Sequence, residues 1–245
     1  MLRKSWVIAR RELQSAFDSP VAYIVIVTFL LTAGSICFRV LFLTGRAEMR
    51  LFFEPMPTPL AVLLPPMLLT ILAPAVTMRS FAEERRSGTL ELMTTLPITD
   101  WHLVIGKFLG SFGIMVAALA LTLAYPITIS TLGALDWGPV IGGYLGLLLY
   151  AAALVAIGIM CSTFTNNQIV AFIMSFVLGV VLYTIGIAAV LLPAGLGSIV
   201  GYVSVTTHLE NFARGLIDTR DVFYFLTITA FGLLLAERSL SRQHA

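Results

Sequence analysis

Charge is what this sequence lacks most. Asp, Glu, Lys and Arg together make up 11% of its 245 residues, against roughly 25% in an average soluble domain. A soluble chain covers its surface with such side chains, so the shortage argues against a water-exposed globule. With 58% hydrophobic residues and a mean hydropathy of +0.96, the apolar surface must face lipid. Cysteine is almost missing. Cys37 and Cys161 make no disulfide framework, and their predicted places near opposite ends of two spans put about a bilayer core, roughly 30 Å, between them. The histidines are His102, His208 and His244, none mid-span and none in an HExxH pattern, so no metal site is expected. There is no GxSxG elbow and no Ser–His pair for an intramembrane hydrolase. No GxxxxGK[ST] loop exists either: Gly106-Lys107 is followed by Phe108, and position 101 is Trp. The chain is therefore read as no enzyme and as holding no cofactor, and any ATP and Mg would be bound by another polypeptide.

What the sequence does hold is long apolar runs. A spanning helix needs about 20 mostly apolar residues. The runs predict an all-α integral membrane protein of six transmembrane helices, at about 21–43, 60–78, 103–132, 140–163, 169–192 and 222–236, folded as a single domain over 1–245. The last is the weakest span by length and suits a thin or locally compressed bilayer. The second is rich in proline, and Pro65, Pro66 and Pro74 are expected to kink or break it towards the bundle. The pairs Gly106/Gly110 and Gly142/Gly146 have the spacing of close helix contacts.

Lys and Arg bias sets orientation. With the N-terminus in the cytoplasm, ten cations fall inside: Arg3, Lys4, Arg10, Arg11, Arg79, Arg85, Arg86, Lys107, Arg238 and Arg242. Four fall outside, Arg46, Arg50, Arg214 and Arg220, and Arg39 lies near the outer end of a span, where it can snorkel. Both termini are thus expected in the cytoplasm. Charges through Asp18 argue against a cleaved signal peptide. Residues 1–20 are expected to form an amphipathic interfacial helix, with Trp6, Val7, Leu13 and Phe17 towards the membrane and Pro20 as its stop.

The segment 79–102 is the most distinctive. Arg79/Glu83 and Glu83/Arg86 have helical pairing distances. Gly88 suits a helix end, Thr89 the N-cap of a following short helix, and Asp100 the cap of the third span. The result would be a compact charged knob, which could fit a groove on a partner or merely join two spans. Residues 193–221 are expected to lie at the outer face.

The stretch RSFAEERRSGTLELMTTLPITDWHLVIGKFLG (79–110) resembles the segment after the second span in ABC-2 type permeases. SVTTHLENFARGLIDTRDVFYF (204–225) is similar to the stretch before the last span in the permeases linked to gliding motility and to nitrous oxide reductase maturation. With the span layout, the resemblance covers nearly the whole chain. It implies a type V exporter-like fold, a homo- or heterodimer of permeases, and two cytoplasmic ABC ATPase subunits that hold the ATP and Mg. It also implies that Glu83, Glu84, Arg85, Arg86, Gly88, Thr89, Leu90 and Glu91 form the coupling element, and that His208, Asn211 and Phe212 belong to an outer-face motif of unassigned role.

The expected function is the permease subunit of an ATP-driven exporter in a bacterial inner membrane, with lipid around it, no nucleic acid partner, and room for an accessory outer-face subunit. The alternatives are a non-transporting membrane scaffold and, further away, an ion-coupled carrier or channel. The fragment Val200-Gly201-Tyr202 resembles part of a potassium filter, but Ile199 and Val203 flank it. Spans two, four and five carry no ionisable group, which disfavours ion coupling.

Overall fold

Most of the long apolar runs become long helices in the computed structural model, which describes residues 2–45, 48–54, 64–89, 99–191 and 193–242. The described helices are α1 (Leu2–Asp18), α2 (Pro20–Thr44), α3 (Arg50–Phe53), α4 (Pro65–Thr77), α5 (Ala82–Arg86), α6 (Asp100–Thr122), α7 (Ala124–Leu132), α8 (Trp137–Phe164), α9 (Gln168–Leu191), α10 (Ala194–Val203), α11 (Val205–Ala213) and α12 (Thr219–Ser241). Among the described residues, five stretches are long and apolar enough to cross a membrane: Ala22–Arg39 within α2, Asp100–Leu132 over α6 and α7, α8, Gln168–Gly186 within α9, and α12.

Several boundaries differ from the sequence reading. The described part of the expected second span is α4, 13 residues, or about 20 Å at 1.5 Å per residue; residues 60–63 of that span lie outside the described residues. Pro65 and Pro66 do not kink it. They occupy its first turn, where a missing N–H costs nothing. Pro74 alone lies inside the helix. The third span is two helices. Pro126 has no N–H to give the carbonyl of Thr122, so the ladder stops and restarts at Leu123. The last span is no short helix: α12 has 23 residues, because charged residues at both its ends continue the helix without raising its hydropathy. Thr99, not Asp100, caps α6, its amide donating to His102 Nδ1 at 3.3 Å.

Helix α8 is the hub. α12, α4, α9, α11 and α6 all pack on it, and 78% of its apolar window is buried against 22% for α9 and α12. Polar links lie between the spans. Thr70 donates to Pro66 O and sits 2.6 Å from the Tyr150 hydroxyl, while Tyr144 donates to Thr122 at 3.0 Å. Both glycine pairs make the contacts their spacing suggested. A Cβ on Gly106 or Gly110 would lie 2.6 Å from Ile8 or Glu12 of α1. One on Gly142 or Gly146 would lie 2.5 or 2.8 Å from Phe212 of α11.

α1 packs through Ser5, Ile8, Ala9, Glu12 and Leu13, so Leu13, expected towards the membrane, instead faces Gly113 of α6. Trp6 and Val7 are exposed. Cys37 and Cys161 are buried and unbonded.

The two ends of the bundle differ. One gathers α1, α5, the start of α6, and the C-terminal ends of α8 and α12; Ser239 there donates to Thr163 O. The other gathers α3, α10, α11, the start of α8 and the start of α12.

Candidate functional site

At the first end, the chain leaves α4 and turns at once into α5. The turn is held from outside. Ser162 of α8 accepts hydrogen bonds from the Phe81 amide at 2.9 Å and the Ala82 amide at 3.0 Å. A helix start leaves its first N–H groups without partners. Here α5's own N-cap residue, Phe81, has no polar side chain, so a serine 81 residues downstream acts as the cap. Ser162 Oγ also reaches Met78 O at 3.4 Å. One hydroxyl thus ties the segment to the hub helix. Ser162→Ala should loosen it by about 1 kcal/mol, the usual loss of a cap, and amide exchange at Phe81 and Ala82 should quicken while exchange within α8 stays unchanged.

Within α5 the charges follow the helix dipole. Glu83 and Glu84 stand in the first turn, Arg85 and Arg86 in the last. Ser87 and Thr89 hydroxyls donate back to the carbonyls of Glu83 at 3.0 Å and Glu84 at 3.3 Å. Gly88 takes φ +71°, the left-handed conformation that ends helices and favours glycine. Nothing lies within 4 Å of where its Cβ would be, so backbone, not space, requires glycine there. The Thr89 hydroxyl also bonds back to α5; Leu90, Glu91 and the rest of the short helix expected after Thr89 lie outside the described residues.

The two glutamates, treated alike in the sequence reading, have different surroundings. Glu83 is exposed, and neither Arg79 nor Arg86 forms an ion pair with it among the described residues. Glu84 turns inward. Its Oε1 lies 2.6 Å from Lys107 Nζ, and the same nitrogen lies 2.7 Å from Glu12 Oε1 of α1. The Lys107 side chain is 3% exposed and its ammonium sits 5.1 Å from the centre of the Phe81 ring, a cation–π distance. Burial pushes the Glu84 carboxyl above its ordinary range, and Lys107 pulls against that shift. Glu84 Oε2 is buried with no partner. A cleft of about 490 Å³ opens beside this group, lined by residues of α1, α4, α5 and α6, among them Arg11, Arg79 and Glu83.

Lys107, Glu12 and Ser162 were not singled out by the sequence reading. Lys107 carried a signal, being a lysine at the fifth position of an otherwise apolar run that begins at Leu103. Glu12 looked like one more charge on a surface helix, and Ser162 like any small residue in a span.

The second group lies at the opposite end. His208 Nδ1 is 2.6 Å from Asp221 Oδ1, and its Nε2 is 2.8 Å from Tyr202 O. Asn211 donates to Asp221 Oδ2 at 2.9 Å. The His208 ring stacks on Tyr224 with centroids 3.9 Å apart. Both ring nitrogens face oxygens, so the ring is held between the Asp221 carboxyl group and the Tyr202 carbonyl. Phe212 is buried in the angle between α8 and α12, against Gly146 and Phe225. His208, Asn211 and Phe212 thus pin α11 to α8 and α12. Asp221, the acceptor that joins them, was missing from the sequence-based set.

Residues 58–237 match the family described as ABC-2 family transporter protein. Among curated proteins, "Probable multidrug ABC transporter permease YbhR" of Escherichia coli strain K12 is 29% identical over 163 residues, which are 66% of this chain and 40% of that protein. The protein of the same name from Escherichia coli O157:H7 aligns equally. The match spans less than half the length of these relatives.

Proposed function

This chain belongs to the ABC-2 family of transporter proteins, and on that premise we propose that it is the permease subunit of an exporter driven by a separate cytoplasmic ABC ATPase. In this reading the bundle crosses a bacterial inner membrane six times. The crossings are α2, the segment ending in α4, α6 with α7, α8, α9 and α12. α1 lies along the cytoplasmic interface, with exposed Trp6 and Val7 towards lipid. The cation bias supports both termini inside. The permease forms a dimer with an identical or related subunit, and two ATPase subunits bind the ATP and Mg beneath it. The outer end, with α10 and α11, leaves a surface for an accessory subunit.

The observation that carries the reading is the anchored turn at 79–89. Its buried side is fixed by Ser162, Phe81 and Glu84, and its other side presents Glu83, Arg86, Ser87 and Thr89 to solvent. A turn held rigidly at its base and charged at its tip can transmit a push. Closure of the ATPase dimer on nucleotide would press on this tip and tilt α4 and α6, opening a path between the two permeases or sideways into lipid. The relatives' description as multidrug permeases and the uncharged spans of this chain support apolar or amphipathic cargo.

Glu83→Lys tests the docking without touching the buried lysine pair. Co-purification of the ATPase from native membranes should fall about tenfold, equivalent to about 1.4 kcal/mol, with permease yield unchanged. Undiminished ATPase recovery and transport in that variant, and in a double variant adding Arg86→Glu, would overturn the docking surface. A scaffold would instead bring down partners without nucleotide-binding loops.

A further inference from the structure

Lys107 is where three elements meet. It projects from α6, takes Glu84 of the turn on one side and Glu12 of α1 on the other, and has Phe81 beneath it. A lysine 3% exposed between carboxylates 17% and 35% exposed is no solvated surface pair. Taking the ammonium out of water is costly unless both contacts persist. α1 is also seated tightly beside it. Gly106 and Gly110, one on each side of Lys107 along α6, admit α1 so closely that a Cβ would fall 2.6 Å from the Ile8 or Glu12 side chain and 3.1 or 3.3 Å from the Ser5 or Ala9 carbonyl oxygen. Small residues set the distance, and the shared ammonium sets the register.

We propose that Lys107 is a positioning residue that locks α1 to the 79–89 turn, so that the N-terminal helix moves with the turn as one body during the transport cycle. The inference rests on the coupling role given to that turn. An interfacial helix tied only by apolar packing would stay with the lipid when the turn is pushed. One tied through Lys107 is carried along, and it drags its exposed Trp6 and Val7 through the interface. α1 then acts as a lever on the inner leaflet as well as an anchor. The arrangement also accounts for the inward Glu84: its carboxylate is the turn's half of the link, and Glu83, one residue earlier, is left free for the ATPase.

The test uses the full permease–ATPase complex in lipid nanodiscs, with Cys37 and Cys161 replaced by alanine and spin labels placed pairwise. One pair joins α1 to the turn (Trp6→Cys with Ser87→Cys). The other joins the turn to the far end of α7 (Ser87→Cys with Thr131→Cys). Distances are read before and after trapping with ATP and vanadate. The expected result is a shift of the Ser87–Thr131 distance, with the Trp6–Ser87 distance staying inside its resting distribution. Glu12→Gln removes only α1's half of the link and leaves Glu84–Lys107 in place. In that variant the Ser87–Thr131 shift should persist while the Trp6–Ser87 distance shifts or broadens on trapping. With both carboxylates present, Lys107→Arg, which can hold them, should keep joint movement, and Lys107→Met should abolish it. If the Trp6–Ser87 distance of the unmodified complex changes on trapping, or if Glu12→Gln leaves it fixed, the lock is wrong although the coupling role stands. If Ser87 does not move relative to Thr131 at all, the coupling role fails and the lock fails with it.

Discussion

Asp221→Leu should release the α11 segment from the bundle and lower stability by about 1–3 kcal/mol, the range for leaving a buried polar group without its hydrogen-bond partner. Both side chains are nearly sealed, His208 4% and Asp221 5% exposed. Leucine would leave the imidazole facing a hydrocarbon where it had a carboxylate, and would strip Asn211 of its acceptor. The loss is one of orphaned buried polar groups more than of a missing contact. The double variant His208→Leu with Asp221→Leu should therefore be more stable than Asp221→Leu alone, because it removes the orphaned imidazole together with its partner. Thermal unfolding of the purified permease, followed by loss of monodisperse elution, measures both. A double variant no better than the single would show that the pair acts through shape rather than through its hydrogen bonds.

Gly142→Val should be as damaging for a different reason. A Cβ at this position would lie 2.5 Å from the carbonyl oxygen of Phe212 and 3.0 Å from the Cα of Gly215. Both are backbone atoms, which cannot rotate away as a side chain could. Gly215 itself has φ +79° and would place its own Cβ 2.8 Å from the Gly138 carbonyl carbon, so the chain after α11 approaches the α8 backbone tightly at Gly138 as well as at Gly142. Overpacking usually costs about 1–3 kcal/mol, and a clash with backbone belongs at or above the top of that range. Even Gly142→Ala should show much of the effect. Gly201→Ala is the control: its Cβ would meet nothing nearer than 3.7 Å, and yield and melting should match the parent protein. Equal loss in both variants would mean that helix glycines matter here for flexibility and not for close approach.

These contacts show which parts of the molecule were readable in advance. Gly106/Gly110 and Gly142/Gly146 announced close approach by their four-residue spacing, but the spacing could not name the partner. It was α1 for one pair and α11 for the other, elements whose places depend on tertiary packing. The long apolar runs marked α2, α8 and α9 to within a few residues because hydropathy and helix length coincide there. They failed for α12, where Arg220, Asp221, Glu237 and Arg238 lie within the helix and hydropathy registers only its middle. Pro126 held the signal for the break between α6 and α7, since the missing N–H falls four residues after Thr122. Pro65 and Pro66 were read as kinks because the sequence did not show where the helix began. In the candidate site, Glu83, Glu84, Gly88 and Thr89 were visible as a motif, and the left-handed φ of Gly88 follows from its residue type. The partition of the glutamates was not visible. It depends on Lys107, twenty-three residues from Glu84, and Glu12, ninety-five residues from Lys107. Ser162 was equally hidden, since nothing local to α8 marks a serine whose hydroxyl serves another helix.

Replacing Ser87, exposed at the tip of the turn, with a photo-cross-linking residue tests the central claim most directly. Irradiation in native membranes followed by mass spectrometry should give an adduct with a cytoplasmic protein that carries a nucleotide-binding P-loop, and the adduct should be lost in the Glu83→Lys background. An adduct formed only with proteins or reagents confined to the outer face, or adducts without any such ATPase, would contradict it.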